Sequence, residues 1–233
     1  MNELAFFGAF NPPTLAHISL ARFAMERTGA QRVIFVPSKA VYIREEQGKD
    51  FAYRDADRAA MLDAAARLRP WMAVCTWEIA GARQPRTYET LCHLREEGHA
   101  PALLLGSDKL KELETGWLHV EEIAMEFGIV CLERGSDSCG QIIGASPFLQ
   151  RLSSRIRALP TPEITRGISS TEVRKRIAGI RSLRAALRGN SDGGNAGAEA
   201  EIRRLENEIR TMVPPEIMPL LAMEPETDSN GQG

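Results

Sequence analysis

Two short runs carry the side chains able to do chemistry. In the first, Gly8-Ala9-Phe10-Asn11-Pro12-Pro13-Thr14-Leu15-Ala16-His17, Thr14 and His17 stand three apart, so both project from one face of a helix's first turn. In the second, Gly167-Ile168-Ser169-Ser170-Thr171-Glu172-Val173-Arg174, Ser170 and Arg174 stand four apart beside the unbonded N–H groups of another helix start. Hydroxyls, an imidazole and a guanidinium at helix N-termini are groups that hold an anionic phosphate. Each run also has a plainer meaning. A strand–Gly–helix junction is a common tight turn in α/β proteins, and Ser169 with Glu172 has the spacing of a capping box.

These side chains need elements to position them. Residues 3–7 read as a short apolar strand, and after the first run Leu15, Ile18, Leu20, Ala21 and Ala24 recur at helical spacing. Gly8 permits the tight turn between them. Asn11 is expected to cap the helix, with Pro12-Pro13 in its first turn. Further on, residues 32–37 predict a second buried strand and 38–53 a polar, irregular stretch. The pattern then predicts a helix over 55–68, a strand over 71–79 and a helix over 87–97. An apolar strand over 102–105 runs at once into Gly106-Ser107-Asp108, followed by a helix over 109–127 broken at Thr115-Gly116 and a strand over 128–132. Alternating helices and strands apolar on both faces predict an α/β fold, a Rossmann-like, doubly wound parallel sheet with helices on both faces. Ligands bind such sheets beyond the carboxyl ends of the strands, where the Gly8 and Gly106 turns fall. Neither Gly-x-Gly-x-x-Gly nor a Walker-type run is present, which demotes a dinucleotide oxidoreductase and a P-loop NTPase.

At 233 residues, with 43% hydrophobic and 26% charged residues, the chain suits one large globular domain, or one domain with a small appendage. A net charge of -2 offers nothing to a nucleic-acid polyanion. Cys75, Cys92, Cys131 and Cys139 are too widely spaced for a zinc site or a disulfide framework; Cys75 and Cys131, in apolar runs, are expected as buried reduced thiols. No signal peptide and no long apolar span is read, so a cytoplasmic protein with no membrane partner is expected. Near the C-terminus Ile202, Leu205, Ile209 and Met212 recur at helical spacing, with Glu199–Arg203 and Glu206–Arg210 as i,i+4 pairs. This amphipathic helix is expected to pack on the parent domain, an interface between subunits being the alternative. Oligomeric state stays open.

The first run resembles the signature of the nucleotidyltransferase superfamily, Gly-x-Phe-(Asp/Asn)-Pro ending in (His/Thr)-x-x-His. Thr14 stands where many members have a first histidine, and Ala16 where glycine is usual. The second run resembles the same superfamily's Ile-Ser-Ser-Thr-x-(Ile/Val)-Arg signature, in the expected order. Three further matches are similar to the nicotinate/nicotinamide mononucleotide adenylyltransferase branch: Arg86-Thr87-Tyr88 before a helix, Leu105-Gly106-Ser107-Asp108 after a strand, and Trp117. The resemblance covers roughly residues 1–180, with a weaker echo in Val213-Pro214-Pro215. It implies a nucleotidyltransferase domain over 1–180 and a helical extension over 181–223. A flexible linker is read over 188–197, by composition, and a disordered tail over 224–233.

The activity implied is transfer of AMP from ATP to a pyridine mononucleotide, releasing pyrophosphate. The resemblance assigns His17, Thr14 and Arg174 to catalysis. It assigns Gly8, Ala9, Phe10, Asn11, Gly106, Asp108, Ile168, Ser169, Ser170 and Thr171 to ATP, and Lys39, Arg44, Thr87, Tyr88 and Trp117 to the mononucleotide. Asp108 has helix capping as its alternative role, Lys39 and Arg44 that of surface charges; His93, His99 and His119 are read as surface or packing residues. The acceptor's phosphate is itself the nucleophile, so neither a covalent intermediate nor a strong general base is required. Mg²⁺ is expected with ATP, held by substrate and water without a protein cage. The partners implied are small molecules. Nicotinate and nicotinamide acceptors are both left open, as are another adenylyl- or cytidylyltransferase, such as a phosphopantetheine adenylyltransferase, and a nucleotide-binding module without turnover.

Overall fold

The computed structural model describes residues 2–45, 52–133, 137–161, 167–189 and 196–221. Six strands form one parallel sheet in the order β3-β2-β1-β4-β5-β6: β1 (Glu3–Gly8), β2 (Arg32–Pro37), β3 (Met72–Val74), β4 (Pro101–Gly106), β5 (Ile129–Leu132) and β6 (Ile156–Leu159). Strand order reverses between β1 and β4, which pair from Glu3↔Pro101 to Phe6↔Leu104. That reversal opens a crevice at the carboxyl ends of both strands, so the Gly8 and Gly106 turns lie side by side.

Alternation along the strands builds two cores. Leu4, Phe35 and Leu104 face the helices Leu15–Thr28 and Asp55–Arg67 through Ile18, Ala21, Ala24, Leu62 and Ala65. Ala5, Ile34, Leu103 and Leu105 face the helix Thr87–Glu96 through Leu91 and Leu94. A third core joins the helices Ser170–Gly189 and Ala196–Arg210: Val173, Ile177 and Ile180 meet Ile202 and Ile209, with Met61, Met212, Val213 and Ile217. The amphipathic C-terminal helix therefore packs on the parent domain, as its apolar stripe predicted. The turn that follows it reaches the first motif, because Leu15 N–H donates to the Met212 carbonyl at 2.9 Å. Glu199 pairs with Arg203 at 3.8 Å, while Glu206 reaches across to Arg184 at 2.9 Å.

Several local expectations are corrected. The strand over 71–79 stops at Val74, and a short helix, Trp77–Ala80, turns Glu78 inward. The helix over 109–127 is cut into Ser107–Leu110, Leu113–Gly116, Val120–Glu122 and a π-turn at Ile123–Phe127, with His119 at φ 60° between two of them. Within 38–53, Ala40–Glu45 is helical. Of the linker placed at 188–197, both ends are helical and 190–195 lie outside the described residues. Residue 180 lies within the helix Ser170–Gly189, which leaves the division into domains untouched, and the tail placed over 224–233 lies outside the described residues. Cys75 is half-buried and Cys131 buried, both as free thiols. Among the described residues no helix is long and apolar enough to cross a membrane.

Candidate active site

The first motif is shaped by packing before it is shaped for binding. Phe10 is buried at φ 44°, and its ring lies edge-on to Phe6 (5.5 Å) and to His17 (5.2 Å). A Cβ on Gly8 would meet that ring at 3.1 Å, so glycine is needed here for the aromatic beside it. Asn11 does not cap the helix. Its side chain accepts the Tyr53 N–H at 2.9 Å, and the peptide to Pro12 is cis. Thr14 is the N-cap of a helix beginning at Leu15. His17 Nδ1 accepts the Thr14 N–H at 3.0 Å and lies 2.8 Å from Thr14 Oγ1. A backbone N–H can only donate, so in the neutral imidazole the ring proton sits on Nε2, a donor suited to a phosphate oxygen.

The second motif closes directly on the first. Ser170 Oγ donates to the Pro12 carbonyl and Arg174 Nη1 to the Asn11 carbonyl, each at 2.8 Å, while Arg174 Nη2 reaches Thr171 Oγ1 at 3.1 Å. Ser169 Oγ accepts the Glu172 N–H at 3.2 Å, capping its helix. Burial lowers the Arg174 pKa from its ordinary value, yet a guanidinium keeps its charge in a protein.

A second cation supports the first motif's turn from beneath. Arg58 is fully buried and donates to the carbonyls of Ala9 (2.7 Å), Ser38 and Tyr53 (3.3 Å), with Asp55 as its counter-ion. Sequence reading missed it; the available signal was an arginine on the inward side of the helix Asp55–Arg67, three residues after an aspartate.

One cleft of about 1410 Å³ lies over these turns, large for a single small ligand. Gly8, Ala9, Phe10, Asn11, Thr14, His17, Gly106, Asp108, Ile168, Ser169, Ser170, Thr171 and Arg174 all line it, as do Thr87 and Trp117 and the Ala16 that departs from the signature. Three residues assigned to the mononucleotide do not. Lys39 Nζ is held by the Ile79 carbonyl at 3.0 Å and by that of Gly81, at the carbonyl end of a helical turn. Tyr88 donates to Glu126 at 2.9 Å and stacks on His119. Arg44 is exposed on the helix Ala40–Glu45 and stands outside the lining. In their place the wall carries Arg83, Gln84, Arg86 and Lys109, whose loop and rim positions gave no periodic signal. Glu78, nearly fully buried, also contributes to this wall; burial pushes it up to about 7, against hydrogen bonds from Gln84 and Thr90. Of the remaining histidines, His93 stacks on Trp77 and His99 lies 3.1 Å from Glu3.

Residues 5–176 match the family model described as Cytidylyltransferase-like. The probable nicotinate-nucleotide adenylyltransferase of Carboxydothermus hydrogenoformans is 30% identical over 175 residues, covering 74% of this chain and 84% of that relative. Its counterpart in Neisseria meningitidis serogroup B is 30% identical over 189 residues, covering 77% and 89%. Among solved structures, the Plasmodium falciparum nicotinic acid mononucleotide adenylyltransferase complexed with NaAD aligns at a TM-score of 0.64 and 16% identity, over 94% of this chain and 93% of that one, a likeness of fold alone. The chain thus belongs to the cytidylyltransferase-like nucleotidyltransferases and, within them, to the nicotinate-nucleotide adenylyltransferases.

Proposed function

We propose that the chain transfers the AMP moiety of ATP to nicotinate mononucleotide, forming the dinucleotide and pyrophosphate, as a cytoplasmic step of pyridine-nucleotide synthesis. The observation that carries this reading is the direct bonding of the two helix starts, Ser170 to Pro12 and Arg174 to Asn11, at the edge of one cleft. An acceptor phosphate oxygen attacks the α-phosphorus of ATP as the bond to the bridging oxygen of the β-phosphate breaks. The acceptor is already ionised, so the protein's task is alignment and stabilisation of charge.

In this mechanism His17 Nε2–H donates to a non-bridging α-phosphate oxygen, with Thr14 holding the ring. Ser169, Ser170, Thr171 and Arg174, beside the N–H groups of their helix start, take the β- and γ-phosphates. Asp108, in the first turn after β4, faces the ribose. Thr87 and Trp117 receive the pyridine mononucleotide, and Arg86 in the same wall favours a carboxylate-bearing ring. Mg²⁺ would be carried by the triphosphate and water, where it would supply neutralising charge.

A pyrophosphate-release assay with ATP and, in parallel, nicotinate mononucleotide, nicotinamide mononucleotide and phosphopantetheine tests the reading. Release is expected with the pyridine acceptors, fastest with nicotinate. Release with phosphopantetheine alone, or nucleotide binding without release, overturns it.

A further inference from the structure

One buried acid next to the cleft has no part in the mechanism above. Glu78 lies in the short helix after β3 and is 1% exposed. Both carboxyl oxygens are engaged: Thr90 Oγ1 donates to Oε1 at 2.8 Å, and Gln84 Nε2 donates to Oε2. Gln84 extends the chain of bonds, its Oε1 accepting the Lys39 N–H at 2.8 Å just beyond β2. Lys39 returns it through Nζ to the carbonyls of Ile79 (3.0 Å) and Gly81. One carboxyl therefore connects the exit of β2, the turn after β3 and the helix Thr87–Glu96. The segment between, 81–86, presents Arg83, Gln84, Pro85 and Arg86 to the cleft. Its outer bracing is Glu89, which pairs with the exposed Arg83 at 2.8 Å and accepts the Arg86 N–H at 2.8 Å; solvent screens the ion pair.

Burying a carboxyl is costly unless its oxygens are hydrogen-bonded. Glu78 meets that condition through Gln84 and Thr90, one on the cleft wall and one in the helix that follows it. We propose that Glu78 is a positioning residue for the acceptor: by holding Gln84 and Thr90 it sets the conformation of residues 81–87, and through Arg86 and Thr87 the seat of the mononucleotide. This rests on the reading above that Thr87 and Arg86 face the acceptor.

Glutamine and alanine at this position separate positioning from mere burial. In Glu78→Gln, the amide oxygen accepts from Gln84 and the amide N–H donates to Thr90, whose hydroxyl can turn to accept. In Glu78→Ala, Gln84 Nε2 and Thr90 Oγ1 lose their acceptor. Trypsin mapping of the full chain by mass spectrometry, at the bonds after Arg83 and Arg86, reads segment order without reference to activity. Glu78→Ala should be cut about tenfold faster there than wild type, and Glu78→Gln at close to the wild-type rate. Steady-state kinetics should show KM for nicotinate mononucleotide raised about tenfold in Glu78→Ala, the effect of about 1.4 kcal/mol. KM for ATP should be nearly unmoved, and Glu78→Gln should restore the acceptor KM. Gln84→Ala, which cuts the tether from the loop side, should reproduce the faster cleavage if Glu78→Ala does not fold. Equal cleavage in wild type and variants, or a rise in KM shared by both substrates, overturns the proposal. Should wild type release no pyrophosphate with either mononucleotide, the functional reading fails, and cleavage still decides whether Glu78 orders the segment.

Discussion

Replacing Ile209 by alanine tests how far the C-terminal helix supports the site. Ile209 is fully buried among Val173, Ile177, Ile180, Met212 and Val213. Alanine removes three carbons, worth about 2.4 kcal/mol at about 0.8 kcal/mol per buried CH₂. A cavity left in a core made by two helices adds to this, for a total of about 3–4 kcal/mol. In a chain of this size that corresponds to a melting temperature lower by about 10 °C. The effect should also reach activity. Ile209 carries the backbone carbonyl bonded by Met212 N–H at 2.9 Å, and the Met212 carbonyl accepts the Leu15 N–H, next to Thr14. Calorimetry gives the first quantity, and initial rates with varied ATP or varied mononucleotide give the second. The expected pattern is a lower melting temperature with KM for ATP raised more than KM for the acceptor, because the loosened bond lies in the phosphate motif. A melting temperature within about 2 °C of wild type would refute the packing argument. Normal kinetics in a clearly destabilised variant would refute the link to the motif.

Three further perturbations address the site itself. His17→Ala removes a donor held by Thr14, and turnover should fall about a hundredfold or more with the fold intact; the wild-type rate in a pyrophosphate assay would remove His17 from catalysis. Arg174→Ala should chiefly weaken ATP binding, by about tenfold or more, through loss of a charged donor, whereas Arg174→Lys should recover only part because an ammonium cannot bridge Asn11 and Thr171 as a fork does; calorimetric titration with ATP decides both. Burial raises the folded-state pKa of Glu78 from 4.5 to about 7, so between these values the folded chain holds a proton that the unfolded chain has released. Stability from this group is therefore present below pH 4.5 and falls as pH rises to about 7, by up to about 3 kcal/mol. Glu78→Gln does not titrate, so its denaturant stability relative to wild type should rise over that window and level off above it; parallel profiles would contradict the buried-acid assignment.

What was legible in the sequence was whatever rested on local pattern. Five strands were read, four of them close to their bounds, because stretches such as Val33-Ile34-Phe35-Val36 and Ala102-Leu103-Leu104-Leu105 are apolar on both faces, as a covered parallel strand requires. The sixth, Ile156–Leu159, escaped because it is short and its buried Ile156 and Leu159 are separated by exposed Arg157 and Ala158, so it carries no continuous apolar run. The helix over 109–127 was overdrawn because spacing does not report where Trp117 must turn toward a cleft. Among site residues, those inside the two motifs lie around the cleft, since each is placed by a helix start. Lys39 and Tyr88 lie elsewhere because their partners, the carbonyls of Ile79 and Gly81 and the carboxylate of Glu126, are tens of residues away in sequence. Arg58 was missed for a related reason: its place on the helix could be read, but its meaning lies in three carbonyls from separate loops.

The hydrogen bonds around the site do two kinds of work. Asn11 and Ser170 direct their side chains to protein backbone, at Tyr53 and Pro12, and Arg58 does so three times over. These bonds fix the shape of the turns in the absence of substrate. Arg174 does both kinds of work, one N–H bonding the Asn11 carbonyl while the guanidinium keeps further donors at the cleft. A reaction whose nucleophile is already ionised gains little from a base and much from donors that need no rearrangement as charge develops. The site therefore uses its polar groups to hold loops still, and a buried arginine under the Gly8 turn follows from the same requirement as the histidine above it.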